Sequence, residues 1–231
     1  MKKLFFCFLI ILLVGCTPTL KLLSGVHNPK IRSDEKANEL FVKLPVQPKV
    51  IDTHFLELKD KQQQLLNLFK GATSAAHVYN KQGELLCYQG DEFCEAVILD
   101  QLKEQSIDQA YKLCQSDSLD MLSAPFNLED LVNNTTLKKE VISSDYVVVF
   151  FWSYDLARRD HAYNWQGVYD SFKDRKEDIT YIRVNTDLRS SWGLPEGKKG
   201  KIKFKLLKNR EVDMTLTIPY YDTNNSKELD D

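Results

Sequence analysis

Tyr146-Val147-Val148-Val149-Phe150-Phe151-Trp152 is an unbroken β-branched and aromatic run. A strand with one wet face alternates apolar and polar residues, whereas a continuous run suits a strand buried on both faces of a sheet. Downstream, Trp165, Val168, Tyr169 and Phe172 recur at i, i+3, i+4 and i+7, the spacing of one helical face. Ile179–Val184 is a second strand-like run, closed by Asn185-Thr186-Asp187. Strand, helix and strand in this order predict a parallel pair joined by a right-handed crossover. Ile202–Leu207 and Val212–Ile218 then alternate across Asn209-Arg210 and read as an antiparallel hairpin. Beyond Tyr221 the chain is acidic and polar, the composition of a disordered tail.

Upstream the signals are shorter. Ala76–Tyr79 and Glu84–Gln89 flank Asn80-Lys81-Gln82-Gly83 and predict a β-hairpin. Phe55, Leu58, Leu65, Leu66 and Phe69 predict a helix over about 54–70, with Gly71 as its stop. Asp91 suits the cap of a helix carrying Cys94, Val97, Ile98 and Leu102, and a short helix is expected around 108–115. From Thr17 to about Val50 the chain is polar and punctuated by Asn28-Pro29, Pro45 and Pro48. It reads as a tether with at most one short helix near Glu35–Val42.

The N-terminus begins Met-Lys-Lys, runs apolar from Leu4 to Val14 and reaches Gly15-Cys16. Charged start, apolar core and small residue are the layout of a signal peptide. A run of this length is too short for a bilayer core of about 30 Å, which needs about twenty apolar residues. Leu13-Val14-Gly15-Cys16 resembles the lipobox of bacterial lipoproteins. That resemblance implies cleavage before Cys16, diacylglycerol on its sulfur and acylation of the new amino group. Two or more chains make such an anchor effectively permanent, because each buried CH₂ contributes about 0.8 kcal/mol. Thr17 stands where an inner-membrane retention signal would place Asp, so the expected location is the outer membrane, facing the periplasm.

The segment Ala124-Pro125-Phe126-Asn127-Leu128-Glu129-Asp130-Leu131 resembles the lead-in of the peroxiredoxin and TlpA-type thiol reductases. Val148–Trp152 resembles the first core strand of that family, Tyr181–Asp187 the strand after its active-site helix, and Leu207–Val212 its hairpin. A parallel β-α-β unit followed by a β-hairpin is the core order of the thioredoxin-like fold. The resemblance covers about residues 124–218 and implies an α/β chain with a thioredoxin-like core, a central mixed sheet flanked by helices, preceded by a small α+β segment. The expected organisation is a signal peptide at 1–15, a lipidated N-terminus and tether at 16–50, an α+β segment at 51–120, the thioredoxin-like domain at 121–221 and a tail at 222–231.

The chemistry of that family is missing from its usual place. Its members carry a Cys-x-x-Cys at the start of the helix, where the helix terminus makes the first thiol nucleophilic. By spacing, Leu156 and Arg159 occupy those two positions here. The family's cis-proline falls near Gly200-Lys201-Ile202, where no proline stands. The resemblance therefore implies a redox-inactive, non-catalytic module that binds a protein partner or serves a structural role at the cell envelope.

Other candidates are few. Apart from Cys16 and the signal segment's Cys7, the cysteines are Cys87, Cys94 and Cys114. Cys87 and Cys94 are the nearest pair, either a structural staple with Cys114 buried apart or a relocated redox pair making the chain an envelope thiol-disulfide oxidoreductase. Arg158, Arg159 and His161, beside Asp155 and Asp160, are either a site for an anion or partner or a solvated helix terminus. The histidines show no metal-ligand spacing, no phosphate loop or nucleophile elbow occurs, and no cofactor or metal is expected. With 31 basic and 33 acidic side chains the chain carries no basic footprint for nucleic acid.

Overall fold

The computed structural model describes residues 27–44, 46–54, 76–89, 105–114, 127–133, 135, 137, 143–155, 165–206 and 212–219. The run at 146–152 is strand β5 (Tyr146–Trp152), at the middle of a mixed six-stranded sheet. Its companions are β1 (Val50–His54), β2 (Ala76–Asn80), β3 (Leu85–Tyr88), β4 (Tyr111–Leu113) and β6 (Ile179–Asn185), in the order β1-β6-β5-β2-β3-β4. β1, β6 and β5 run parallel, while β2, β3 and β4 follow one another antiparallel to their neighbours. The chain is thus of the α/β class.

Residues on β5 alternate between two cores, which is why the run contains no polar position. Val147, Val149 and Phe151 join Ile182 and Val184 on one face. Val148, Phe150 and Trp152 join Val78 and Tyr181 on the other. Four α-helices are described: α1 (Asp34–Val42), α2 (Ile107–Ala110), α3 (Leu128–Asn133) and α4 (Trp165–Phe172). α4 buries Trp165, Val168 and Phe172 on the second face, as its spacing predicts, and Phe41 of α1 meets Trp152 edge-on at 5.1 Å. Each such apolar side chain contributes about 1.5–3 kcal/mol on burial. The first face is closed by α3 and by the hairpin β7 (Lys201–Leu206) and β8 (Val212–Thr217), through Leu131, Ile202 and Leu216.

The upstream hairpin forms where expected. Asn80 Oδ1 accepts from the amides of Gln82 (3.0 Å) and Glu84 (2.9 Å), and Gly83 takes φ +81°, a conformation an L side chain resists. The lower hairpin also forms, but β7 and β8 make a two-stranded sheet of their own. The antiparallel neighbour of β5 is β2, from upstream in the chain. A hairpin with one apolar face can bury it on the face of a sheet as well as beside its edge, and alternation alone does not choose between them.

Three further expectations are corrected. α1 lies where a short helix was read, capped by Ser33, but the chain around it is not an extended tether. From His27 onward it packs as a strap, with Ile31 fully buried among Leu188, Ile202 and Leu216. Gly200 holds the strap by donating its amide to the Pro29 carbonyl at 2.8 Å. Its bare Cα lets Pro29 approach, since a Cβ there would lie 3.0 Å from the proline ring. Second, Val50–His54 is an edge strand parallel to β6, so the helix expected from residue 54 cannot begin there; the remainder of that span lies outside the described residues. Third, the helix expected around 108–115 is one turn, Ile107–Ala110, opened by a Ser106–Gln109 capping box and followed directly by β4. The helix expected after Asp91 and the tail beyond Tyr221 also lie outside the described residues.

The cysteine pairing differs as well. Cys87 is bonded to Cys114, not to Cys94, with Cα atoms 4.9 Å apart. The reason is register: β3 and β4 are antiparallel neighbours, and the Cys114 amide donates to the Leu85 carbonyl at 3.2 Å. Proximity in sequence favoured Cys94, whereas strand pairing brings together residues 27 apart. Cys94 itself lies outside the described residues. A bridge closing a loop of that length stabilises by about 3.5 kcal/mol on chain-entropy grounds. Cys114→Ser is therefore expected to lower the urea-unfolding free energy by roughly that amount, while Cys94→Ser leaves the Cys87–Cys114 bridge intact by mass spectrometry.

Candidate functional site

In open α/β sheets the chemistry gathers beyond the carboxyl ends of the parallel strands. Here β5 ends at Trp152 and β6 at Asn185, side by side in register. The next residues of each strand, Ser153-Tyr154-Asp155 and Thr186-Asp187, form a buried polar cluster.

Asp187 is its centre. Its carboxylate accepts from Ser153 Oγ (2.6 Å), from the backbone amide of Tyr154 (3.0 Å), from that of Asp155 (3.4 Å) and from Asn185 Nδ2 (2.9 Å). Asn185 in turn accepts from the Asp187 amide at 3.0 Å, which fixes the turn after β6. The Thr186 amide and hydroxyl both donate to the Trp152 carbonyl, at 2.9 and 3.1 Å. Asp187 is almost wholly buried, and burial pushes its carboxyl above the usual carboxylate range. The nearby Asp155 charge adds to the rise, whereas Ser153, Asn185 and Arg32 oppose it.

Asp155 supplies the second half. Its carboxylate forms a two-pronged ion pair with Arg32, Nη1 to Oδ2 and Nη2 to Oδ1, the latter at 2.7 Å. It also accepts from the Lys30 amide at 2.7 Å, and its carbonyl accepts from the His27 amide at 3.0 Å. Burial works against the Arg32 charge, but the hydrogen bond and field of Asp155 outweigh it and hold the guanidinium above its ordinary value. Arg32 also lies 5.4 Å from the centre of the Tyr154 ring. The strap is thereby clipped to the end of β5, and the backbone amides after β5, a natural anion cradle, are filled by the protein's own carboxylate.

Of the residues singled out in the sequence, Cys16, Cys94, Arg158, Arg159 and His161 lie outside the described residues. Asp155, read beside them in that charged cluster, holds Arg32. Cys87 is about 27 residues from its partner along the chain and forms part of the β3–β4 edge, remote in topology from the ends of β5 and β6. The Arg32–Asp155 pair had no local signature, since its members are 123 residues apart. Asp187 carried a weak one as the polar stop of a buried strand.

A cavity of about 1140 Å³ opens beside β3 and β4, lined in part by Tyr88, Tyr111, Tyr146, Asp108, Asp145 and Glu177. Its carboxylates are engaged: Tyr146 donates to Asp108, Lys81 pairs with Asp145 at 3.4 Å, and Arg175 pairs with Glu177 at 3.2 Å. Among the described residues no group of His, Cys, Asp and Glu is arranged to hold a metal ion. No described helix is long and apolar enough to cross a membrane.

The architecture defines a mixed α/β protein with a buried carboxylate lock at the ends of its parallel strands. No protein-family model matches the chain, and no curated protein or solved structure is similar enough to it to assign a family.

Asp187→Ala leaves the Ser153 hydroxyl, two backbone amides and the Asn185 amide without their acceptor, and is expected to cost about 2–4 kcal/mol in urea unfolding. The raised carboxyl also fixes a sign. In the pH range above the unfolded value of about 4, the folded chain holds more protons at this position, so its contribution to stability falls as pH rises. Comparing wild type with Asp187→Asn from pH 4 to 7 is expected to show this slope in the wild type alone.

Proposed function

We propose that this chain is a lipid-anchored protein of the cell envelope whose α/β domain is a redox-inactive, thioredoxin-like module with a binding or structural role. The observation that carries the reading is the occupied turn after β5. In the thiol reductases that the sequence resembles, this turn delivers a nucleophilic cysteine. Here Leu156 and Arg159 fall at the cysteine positions, and the amides of Tyr154 and Asp155 are spent on Asp187. A turn locked this way favours rigidity over exchange with substrate.

Two features support the rest. The parallel β5-α4-β6 unit with an antiparallel hairpin, β2 and β3, beside β5 is compatible with a thioredoxin-like core whose hairpin comes from upstream. The Cys87–Cys114 bridge fits an oxidising compartment, where structural disulfides persist. That compartment agrees with cleavage before Cys16, acylation there and a periplasm-facing membrane surface. The bridge ties adjacent strands at the edge of the sheet and does not include Cys94, which favours a structural staple over a relocated Cys87–Cys94 redox pair.

Metabolic labelling with a palmitate analogue is expected to mark the wild type and not Cys16→Ser; label that persists in the variant contradicts the anchor. The purified full chain, in detergent, is expected to reduce insulin disulfides and consume peroxide no faster than buffer. Turnover that disappears in Cys87→Ser or Cys114→Ser would overturn the redox-inactive reading.

A further inference from the structure

Over the whole chain basic and acidic side chains nearly balance, but between Glu196 and Glu211 they do not. That stretch holds seven lysines and arginines and no acidic residue. Within it β7 alternates: Ile202 is buried and Phe204 half-buried against the first core, while Lys201 and Lys203 are exposed on the outer face. Their register partners on β8 are the uncharged Thr217 and Thr215. Lys198 and Lys199, just ahead of the strand, are exposed as well.

The strap adds to this face. The Asn28 side chain accepts from the Ile202 amide at 3.0 Å, the Ile31 amide donates to the Lys198 carbonyl at 2.9 Å, and exposed Lys30 stands opposite Lys199 in an antiparallel bridge. Like charges directly opposite one another destabilise a sheet. Among the described residues Lys30, Lys198, Lys199, Lys201 and Lys203 form no salt bridge that would offset this. Three carboxylates around the strap are committed to other cations: Asp155 to Arg32, Asp34 to Arg189 at 3.0 Å and Glu196 to Lys36 at 2.8 Å. The fold gathers cations at one corner and supplies no counter-charge for them among the described residues.

The position of this face decides what it meets. Ten residues separate Cys16 from His27, whose amide is bonded to the Asp155 carbonyl. Even fully extended, that span reaches at most about 40 Å. A lipid on Cys16 therefore keeps the start of the strap, and the lysines around it, near the bilayer surface. No acidic residue occurs from Cys16 to Ser33 to oppose an anionic surface. Tethering makes docking an intramolecular step, in which contacts too weak to recruit a free protein still suffice.

We propose that the outer face of β7, with Lys30 of the strap, docks on the anionic phospholipid headgroups of the membrane that carries the anchor. The ammonium groups of Lys30, Lys199, Lys201 and Lys203 meet the phosphates, an attraction that salt screens beyond about 10 Å at 0.1 M. The hairpin covers the first face of the six-stranded sheet, so docking through it turns the second face, with α4, to the aqueous side. The proposal rests on the anchor at Cys16 and adds to it a lipid class and an orientation.

The test places the full chain, purified from membranes, in nanodiscs of phosphatidylcholine with or without phosphatidylglycerol. Acylation of each lysine by a water-soluble N-hydroxysuccinimide ester is then read by mass spectrometry. Lys199, Lys201 and Lys203 are expected to react roughly fivefold more slowly on the anionic discs, the factor that one lysine gains at such a surface. High salt is expected to restore their rates, and Lys173, after α4, is expected to react alike on both discs. In the triple variant Lys199→Gln, Lys201→Gln, Lys203→Gln, Lys30 is expected to lose its protection. The melting temperature of that variant is expected to stay within about 2 °C of wild type, as exposed substitutions seldom disturb a fold. Equal rates on the two discs, with the chain bound to both in high salt, would overturn the docking and leave the anchor standing. Failure of the chain to stay on phosphatidylcholine discs would remove the anchor and the proposal with it. Protection that appears without lipid as protein concentration rises would give the face to a second copy and also overturn the proposal.

Discussion

A carboxylate taken out of water is among the costliest groups a protein can bury, and Asp187 is almost wholly buried. It is tolerated because four donors converge on it from two consecutive strand ends. That convergence makes one rigid corner of the ends of β5 and β6. It also sets the conformation of Asp155, whose carboxylate then meets Arg32 and the Lys30 amide and draws in the strap. Ile31 follows into the first core, beside the hairpin β7–β8 and over Gly200. Removing the central acceptor would therefore loosen the sheet ends, the strap and the hairpin together, since they share one chain of contacts.

The same corner bears on function. A strand-to-helix turn that performs nucleophilic chemistry must present its side chain and its amides to a substrate. In this chain the amides already hold an internal anion, and the charge of Asp155 is neutralised by an arginine from the strap. The proposed binding or structural role follows from that saturation.

Much of this architecture was legible in the sequence, and the legible parts share a cause. Tyr146–Trp152, Trp165–Phe172 and Ile179–Asn185 announce themselves because burial on a fixed period writes a local pattern. The turn Asn80–Gly83 is legible because positive φ demands glycine. The misreadings arise where a long-range pairing decides. Val50–His54 contains Asp52 and His54, a poor strand pattern, and is a strand because β6 offers it an edge and Asp52 meets Arg183 across it. Ile31 sits alone in a polar, proline-marked stretch, and nothing nearby tells that it will be buried. Cys87 appeared closer to Cys94 because sequence distance is visible and the β3–β4 register is not. The candidate site follows the same rule: Asp187 was visible as the stop of a strand, but Arg32 is joined to Asp155 only by the folded chain.

The central claim is that Asp187 locks the turn after β5. Hydrogen exchange tests it directly, at the amides of Tyr154 and Asp155, which lie outside any helix or sheet ladder and have Asp187 as their acceptor. The account requires both amides to exchange as slowly as those within β5, through global unfolding, and to exchange orders of magnitude faster in Asp187→Ala while the β5 amides remain protected. Fast exchange of Tyr154 and Asp155 in the wild type would contradict it, leaving the end of β5 open and the turn free to present its side chains.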